Sequence, residues 1–115
     1  MEYLLLIYNN EKETAAMSQA ERERWTGAYM AYTQALQEAN VLRGGNRLRP
    51  TSATTTVRVA GGKVQTVDGP FAETREQLAG YYLIDAPDLD AALSWAGRCP
   101  GAQYGSIEVR PIWAM

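Results

Sequence analysis

Residues Tyr3 to Tyr8 read Tyr-Leu-Leu-Leu-Ile-Tyr, six large and mainly apolar side chains in a row. On a strand, successive side chains point to opposite faces, so both faces of this one are apolar. Leu4 and Leu6 alternate with Leu5 and Ile7, and further along Tyr81 alternates with Tyr82. A central strand of this kind requires a sheet that is covered on two sides.

The other elements supply cover for only one side. Asn9 to Met17 reads as a polar connection. Ser18-Gln19-Ala20-Glu21 fits a capping box, and Trp25, Ala28, Tyr29, Tyr32, Leu36 and Ala39 follow as one helical stripe ending near Asn40. Gly44-Gly45 reads as a turn, and Asn46 to Arg49 as a short strand stopped by Pro50. Thr54 to Ala60 and Lys63 to Val67 flank Gly61-Gly62, the mark of a two-residue hairpin. That register sets Val59 against Val64, Val57 against Thr66 and Arg58 against Gln65. Ala79 to Asp85 is a strand. Asp88 caps a second helix with Leu89, Ala92, Leu93 and Ala96 on its buried stripe, leaving Trp95 off it, and Ser106 to Ile112 is the last strand.

Strand, helix, strand, inserted hairpin, strand, helix, strand is the α+β order of a ferredoxin-like split β-α-β (βαββαβ) sheet. At 115 residues it is one domain, 1–115. Both helices cover one face, and a second copy of the chain is the simplest cover for the other. The reading is therefore a homodimer whose interface is the helix-free face.

Composition removes several functions. There is no histidine and one cysteine, Cys99, so the chain cannot assemble a tetrahedral N/S zinc site, a Ser–His–Asp or Cys–His arrangement, or histidine-ligated haem. No cofactor and no metal are expected. A net charge of −2 with scattered arginines is not a nucleic-acid footprint. A lone thiol and the lack of a long apolar run point to a cytoplasmic protein away from membranes. Cys99 lies at a helix C-terminus, which raises a thiol pKa, and reads as packed and unreactive.

Asp68-Gly69-Pro70 is a stiff corner: glycine tolerates any φ, and proline fixes its own. Thr74-Arg75-Glu76-Gln77 repeats the capping-box pattern and suggests a single helical turn. Two readings of Asp68 stand side by side. In one it bonds backbone N–H groups as an Asx turn, with Glu73, Arg75 and Glu76 as solvated charges. In the other it is a preorganised proton acceptor.

Asp68-Gly69-Pro70-Phe71 resembles the signature of the YCII-related, or DGPF-domain, proteins. Tyr3-Leu4-Leu5-Leu6-Ile7-Tyr8, Glu73-Thr74-Arg75-Glu76-Gln77-Leu78, Gly80-Tyr81-Tyr82-Leu83-Ile84, Arg98-Cys99-Pro100 and Glu108-Val109-Arg110-Pro111-Ile112 extend the resemblance over essentially the whole chain. It implies a dimeric α+β barrel, in which two ferredoxin-like sheets face each other, and a small bacterial cytoplasmic protein. Some members are linked to extracytoplasmic-function sigma factors, and some hold a histidine–aspartate pair. Without histidine, only Asp68 of such a pair carries over.

In the last strand, Ile107, Val109 and Pro111 share one face, and Glu108 and Arg110 share the other. Glu108 and Arg110 read either as an interface ion pair or as a ligand anchor. Tyr8 and Tyr82 offer hydroxyl donors, and Glu73 and Gln77 would rim a pocket mouth. One function is thus a small-molecule-binding or enzyme-like barrel with Asp68 as its acid–base group. The alternative is a non-catalytic dimeric binding or regulatory module tied to sigma-factor-dependent transcription.

Overall fold

A computed structural model describes residues 1–114. The chain runs β1 (Glu2–Asn9), α1 (Glu11–Ala15), α2 (Gln19–Glu38), β2 (Leu42–Arg47), β3 (Thr55–Ala60), β4 (Lys63–Asp68), β5 (Gln77–Asp85), α3 (Leu89–Arg98) and β6 (Ser106–Pro111). Four strands form one antiparallel sheet in the order β2-β5-β1-β6. The interleaved order, with β1 and β5 at the centre, is the ferredoxin-like fold expected from the sequence. β3 and β4 form a separate two-stranded sheet, in the register that the glycine turn implies.

Strand alternation divides the sheet into two faces. Tyr3, Leu5 and Ile7 of β1 and Ile84 of β5 point toward α2 and α3. They meet Tyr32, Leu36, Ala92, Ala96 and Cys99 in one core. Tyr32 donates its hydroxyl to the Trp95 carbonyl at 2.7 Å, which ties α2 to α3. Leu4, Leu6 and Tyr8 point the other way, are half-buried, and lie outside the core that α2 and α3 cover.

Capping follows the sequence closely. Ser18 Oγ accepts from Glu21 N at 3.1 Å, and Asp88 Oδ1 accepts from Ala91 N at 2.8 Å. Asn40 ends α2 in the left-handed region (φ 57°), where a short polar side chain is tolerated.

Five readings need correction. The polar connection after β1 contains the helix α1, because Asn10 Oδ1 caps it by accepting from Lys12 N and Glu13 N. Gly44-Gly45 is not a turn but lies inside β2, which is bulged between Leu42 and Gly44. A Cβ on Gly45 would sit 3.0 Å from the Tyr81 carbonyl, so this glycine lets β2 and β5 approach, whereas Gly44 has room for one. Thr74–Gln77 is not helical: Gln77 is drawn into β5 and its amide donates to the Thr74 carbonyl. The α3 stripe is rotated, leaving Leu89 and Leu93 exposed while Trp95 packs on the core beneath Arg98, 4.3 Å from its ring centre. Ala28 and Ala39 fall outside the buried stripe of α2.

Candidate functional site

The helix-free face collects several of the chemically capable side chains. Leu6 pairs with both Tyr81 and Glu108, and Leu4 pairs with Leu83 and Arg110. Tyr8 pairs with Ser106. An apolar floor of Leu4, Leu6 and Leu83 is thus edged by Tyr8, Tyr81, Glu108 and Arg110. Glu108 and Arg110 are two residues apart on one strand and form an ion pair at 3.6 Å. Both are exposed, so the pair is weak.

Hydrogen bonds preorganise part of this face. Asn46 on β2 donates to the Tyr81 hydroxyl at 2.8 Å. At the sheet end, Ser106 donates to Glu76 Oε1 at 2.7 Å, which holds a carboxylate near Tyr8. Tyr81, Asn46 and Glu76 are members of this face that sequence reasoning did not assign to a site. For Tyr81 the signal was present: alternation along β5 places it and Tyr82 on opposite faces, and pairing with Leu6 decides which.

Strand register puts Tyr8, Glu108 and Arg110 on the helix-free face. Tyr82 does not join them. It lies on the helix side, where its ring meets Tyr32 edge-on at 5.4 Å and its hydroxyl shares a 2.7 Å hydrogen bond with Thr33. Burial pushes the Tyr82 phenol above the ordinary tyrosine range. Gln77 is tied to the backbone, accepting from Glu11 N at 2.9 Å and donating to the Thr74 carbonyl at 2.6 Å. Glu73 is exposed in the segment before β5.

Asp68 ends β4, opposite Thr55, and is exposed. Its side chain accepts no hydrogen bond from any described residue, so no Asx turn forms. The corner is held instead by Gly69, whose N–H donates to the Thr54 carbonyl at 2.7 Å and whose carbonyl accepts from Thr56 Oγ1 at 2.7 Å. Gly69 has φ 102°, so its role is one that a side chain would strain. The Asp68 carboxylate therefore has no partner among the described residues and stands at the base of the β3–β4 hairpin.

Cys99 is buried at the end of α3, with its sulfur 3.8 Å from the Tyr29 hydroxyl. Burial pushes the thiol pKa up, which makes it a packing residue rather than a nucleophile. Two concavities can be outlined, the second of them reaching Glu76 at the end of the sheet. One of about 710 Å³ runs along α2 past Trp25, Arg98 and Tyr104, and one of about 480 Å³ is bordered by Asn10, Glu13, Arg75 and Glu76. Among the described residues no helix is long and apolar enough to cross a membrane.

Comparison with known proteins agrees with the fold. The chain is 45% identical over 114 residues to an uncharacterised protein of Rhizobium meliloti (strain 1021), covering 97% of this chain and 92% of that one. A solved structure, the 5-chloro-2-hydroxyhydroquinone dehydrochlorinase TftG from Burkholderia phenoliruptrix AC1100 in complex with 2,5-dihydroxybenzoquinone, superimposes with a TM-score of 0.55. It shares 14% identity, with 98% of this chain and 94% of that chain covered, and so bears on fold alone. The YCII-related domain profile matches residues 1–115, and the chain belongs to the YCII-related domain family.

Proposed function

We propose that this protein binds a compact, partly apolar small molecule in a chamber enclosed when two copies press their helix-free faces together. The observation that carries this reading is the composition of that face: an apolar floor edged by phenols and one loosely paired arginine. Small-molecule sites are built this way, with apolar lining for affinity and a few polar groups for orientation.

Surface area supports a pair of copies. The chain exposes 8232 Å². A compact monomer of 12.7 kDa exposes roughly 6,200 Å². The excess of about 2,000 Å² falls in the range that one subunit buries in a large obligate interface. A reduced, unpaired cysteine suits a cytoplasmic setting.

In this reading Arg110 receives a carboxylate or carbonyl oxygen of the ligand, displacing Glu108. Tyr8 and the Asn46-held Tyr81 supply hydroxyl donors. Asp68 takes the role of proton acceptor once the partner copy completes the chamber. The ligand complex of TftG, a distant fold relative, supports the capacity of the fold to hold a small hydroxylated ring.

Sedimentation at micromolar concentration tests the pairing, with a dimer expected. Titration with 2,5-dihydroxybenzoquinone and substituted benzoates, followed by intrinsic fluorescence, tests the chamber. Arg110→Ala is expected to weaken any bound probe by about tenfold or more, as loss of a charged hydrogen bond does. A monomeric wild type refutes the reading. A dimer indifferent to every probe, and to Arg110→Ala, favours the regulatory alternative.

A further inference from the structure

The β3–β4 arm has no use for its apolar face within one copy. Val57 and Val59 on β3 and Val64 on β4 share that face and are 60%, 67% and 70% exposed. Phe71, just past the corner, is 79% exposed. A lone two-stranded ribbon is marginal in water, and a patch of β-branched side chains on it calls for cover.

The arm is nonetheless held firmly at its root. The Glu11 carboxylate accepts from Thr51 N and from Thr51 Oγ1, both at 2.7 Å. Gly69 closes the other side onto Thr54 and Thr56. The Gly61-Gly62 tip turns with φ 56° and 74°. A fixed root with an apolar tip is built to project.

Shape and reach say toward what. The molecule measures 48 × 44 × 19 Å, and its radius of gyration is 16.1 Å against roughly 13 Å for a compact chain of this length. The 19 Å thickness accounts for one sheet and one helix layer, so the arm lies beside the sheet rather than beneath it. A six-residue strand spans about 20 Å, so an arm beside the sheet reaches well past the sheet edge, where a second copy can meet it. The arm also leaves from β2, the edge strand of the sheet whose open face forms the chamber. That face is about 19 Å across four strands and about 20 Å long, a footprint of roughly 400 Å². It does not by itself account for an excess of about 2,000 Å² over a compact monomer, and the arm adds the exposed Val57, Val59 and Val64.

We propose that the β3–β4 arm crosses to a second copy of this chain, lays Val57, Val59 and Val64 against it, and carries Asp68 and Phe71 to the rim of the shared chamber. This rests on the pairing proposed above. It makes the site incomplete in one chain and gives the free Asp68 carboxylate a place to act.

A photo-crosslinking residue at Val64 tests this, in dimers mixed from isotope-labelled and unlabelled chains and read by mass spectrometry. Crosslinked peptides joining a labelled to an unlabelled chain are expected. Val57→Glu with Val59→Glu is expected to raise the dimer dissociation constant about 100-fold, the loss from two buried valines. Melting curves check that each variant folds. Crosslinks confined to one chain, or none, in a sample that still sediments as a dimer overturn the arm crossing and leave the chamber intact. A wild type that sediments as a monomer overturns both.

Discussion

Replacing Glu11 with alanine isolates what holds the arm. Its two oxygens accept from the Thr51 backbone and hydroxyl at 2.7 Å each, and its own N–H donates to Gln77. The N–H bond survives the substitution; the two carboxylate bonds do not. Charge-assisted bonds contribute about 1.5–3 kcal/mol each when shielded, and this half-exposed pair shares one carboxylate, so roughly 2 kcal/mol is lost. Unfolding entropy of about 2.1 cal/mol/K per residue converts that to a drop of about 8 °C in Tm if the arm unfolds with the body. If the arm opens locally, the same free energy appears as about 30-fold faster hydrogen exchange at Thr51 with a smaller change in Tm. Thr51→Val removes the hydroxyl but keeps the N–H bond, and is expected to lose about half as much. Differential scanning calorimetry and amide exchange by NMR read the two quantities. A Glu11→Ala protein that melts within about 2 °C of wild type, with Thr51 exchange unchanged, would refute the clamp.

Two glycine substitutions are expected to act in opposite directions. Gly27 sits exposed in α2, with nothing within 4 Å of where an added methyl would lie, so Gly27→Ala is expected to stabilise by about 0.5–1 kcal/mol. At Gly105 the methyl would overlap the Tyr8 carbonyl and lie 3.1 Å from Asn9 Cα, so Gly105→Ala is expected to destabilise by about 3 kcal/mol. Thermal melts that rank the two equally would refute this packing at the β1 end. Alkaline pH tests the core phenols. Burial, followed by the charge of the Cys99 thiolate, raises the Tyr29 and Tyr32 pKa values far above the ordinary tyrosine value of about 10. Their neutral forms therefore contribute stability that is complete below about pH 10 and is lost as pH rises toward the folded values. Melts in steps across that region should fall more steeply for wild type than for Tyr29→Phe, and equal slopes would count against it.

The candidate site was legible in proportion to how locally it is encoded. Glu108 and Arg110 sit two apart on a strand, so alternation alone placed them on one face with their separation nearly set. Tyr82 went astray because alternation separates it from Tyr81 without saying which of the two meets the helices. The Thr74–Gln77 pattern was a good local signal for a capped turn. It was overridden when Gln77 paired with Asn9 and bonded Glu11 N, contacts that lie far off in sequence.

What the chain of residues determined by itself was the order of elements, the hairpin register, the helix caps and the shortage of cover for an apolar sheet. Each rests on neighbours within a few positions, where backbone geometry makes the outcome local. The tertiary structure alone decided that Gly45 lies tight against the Tyr81 backbone, that Glu11 clamps Thr51, that Ser106 holds Glu76, and that Asp68 has no partner among the described residues. Those depend on which distant segments the sheet brings into register, and no short-range pattern carries that information.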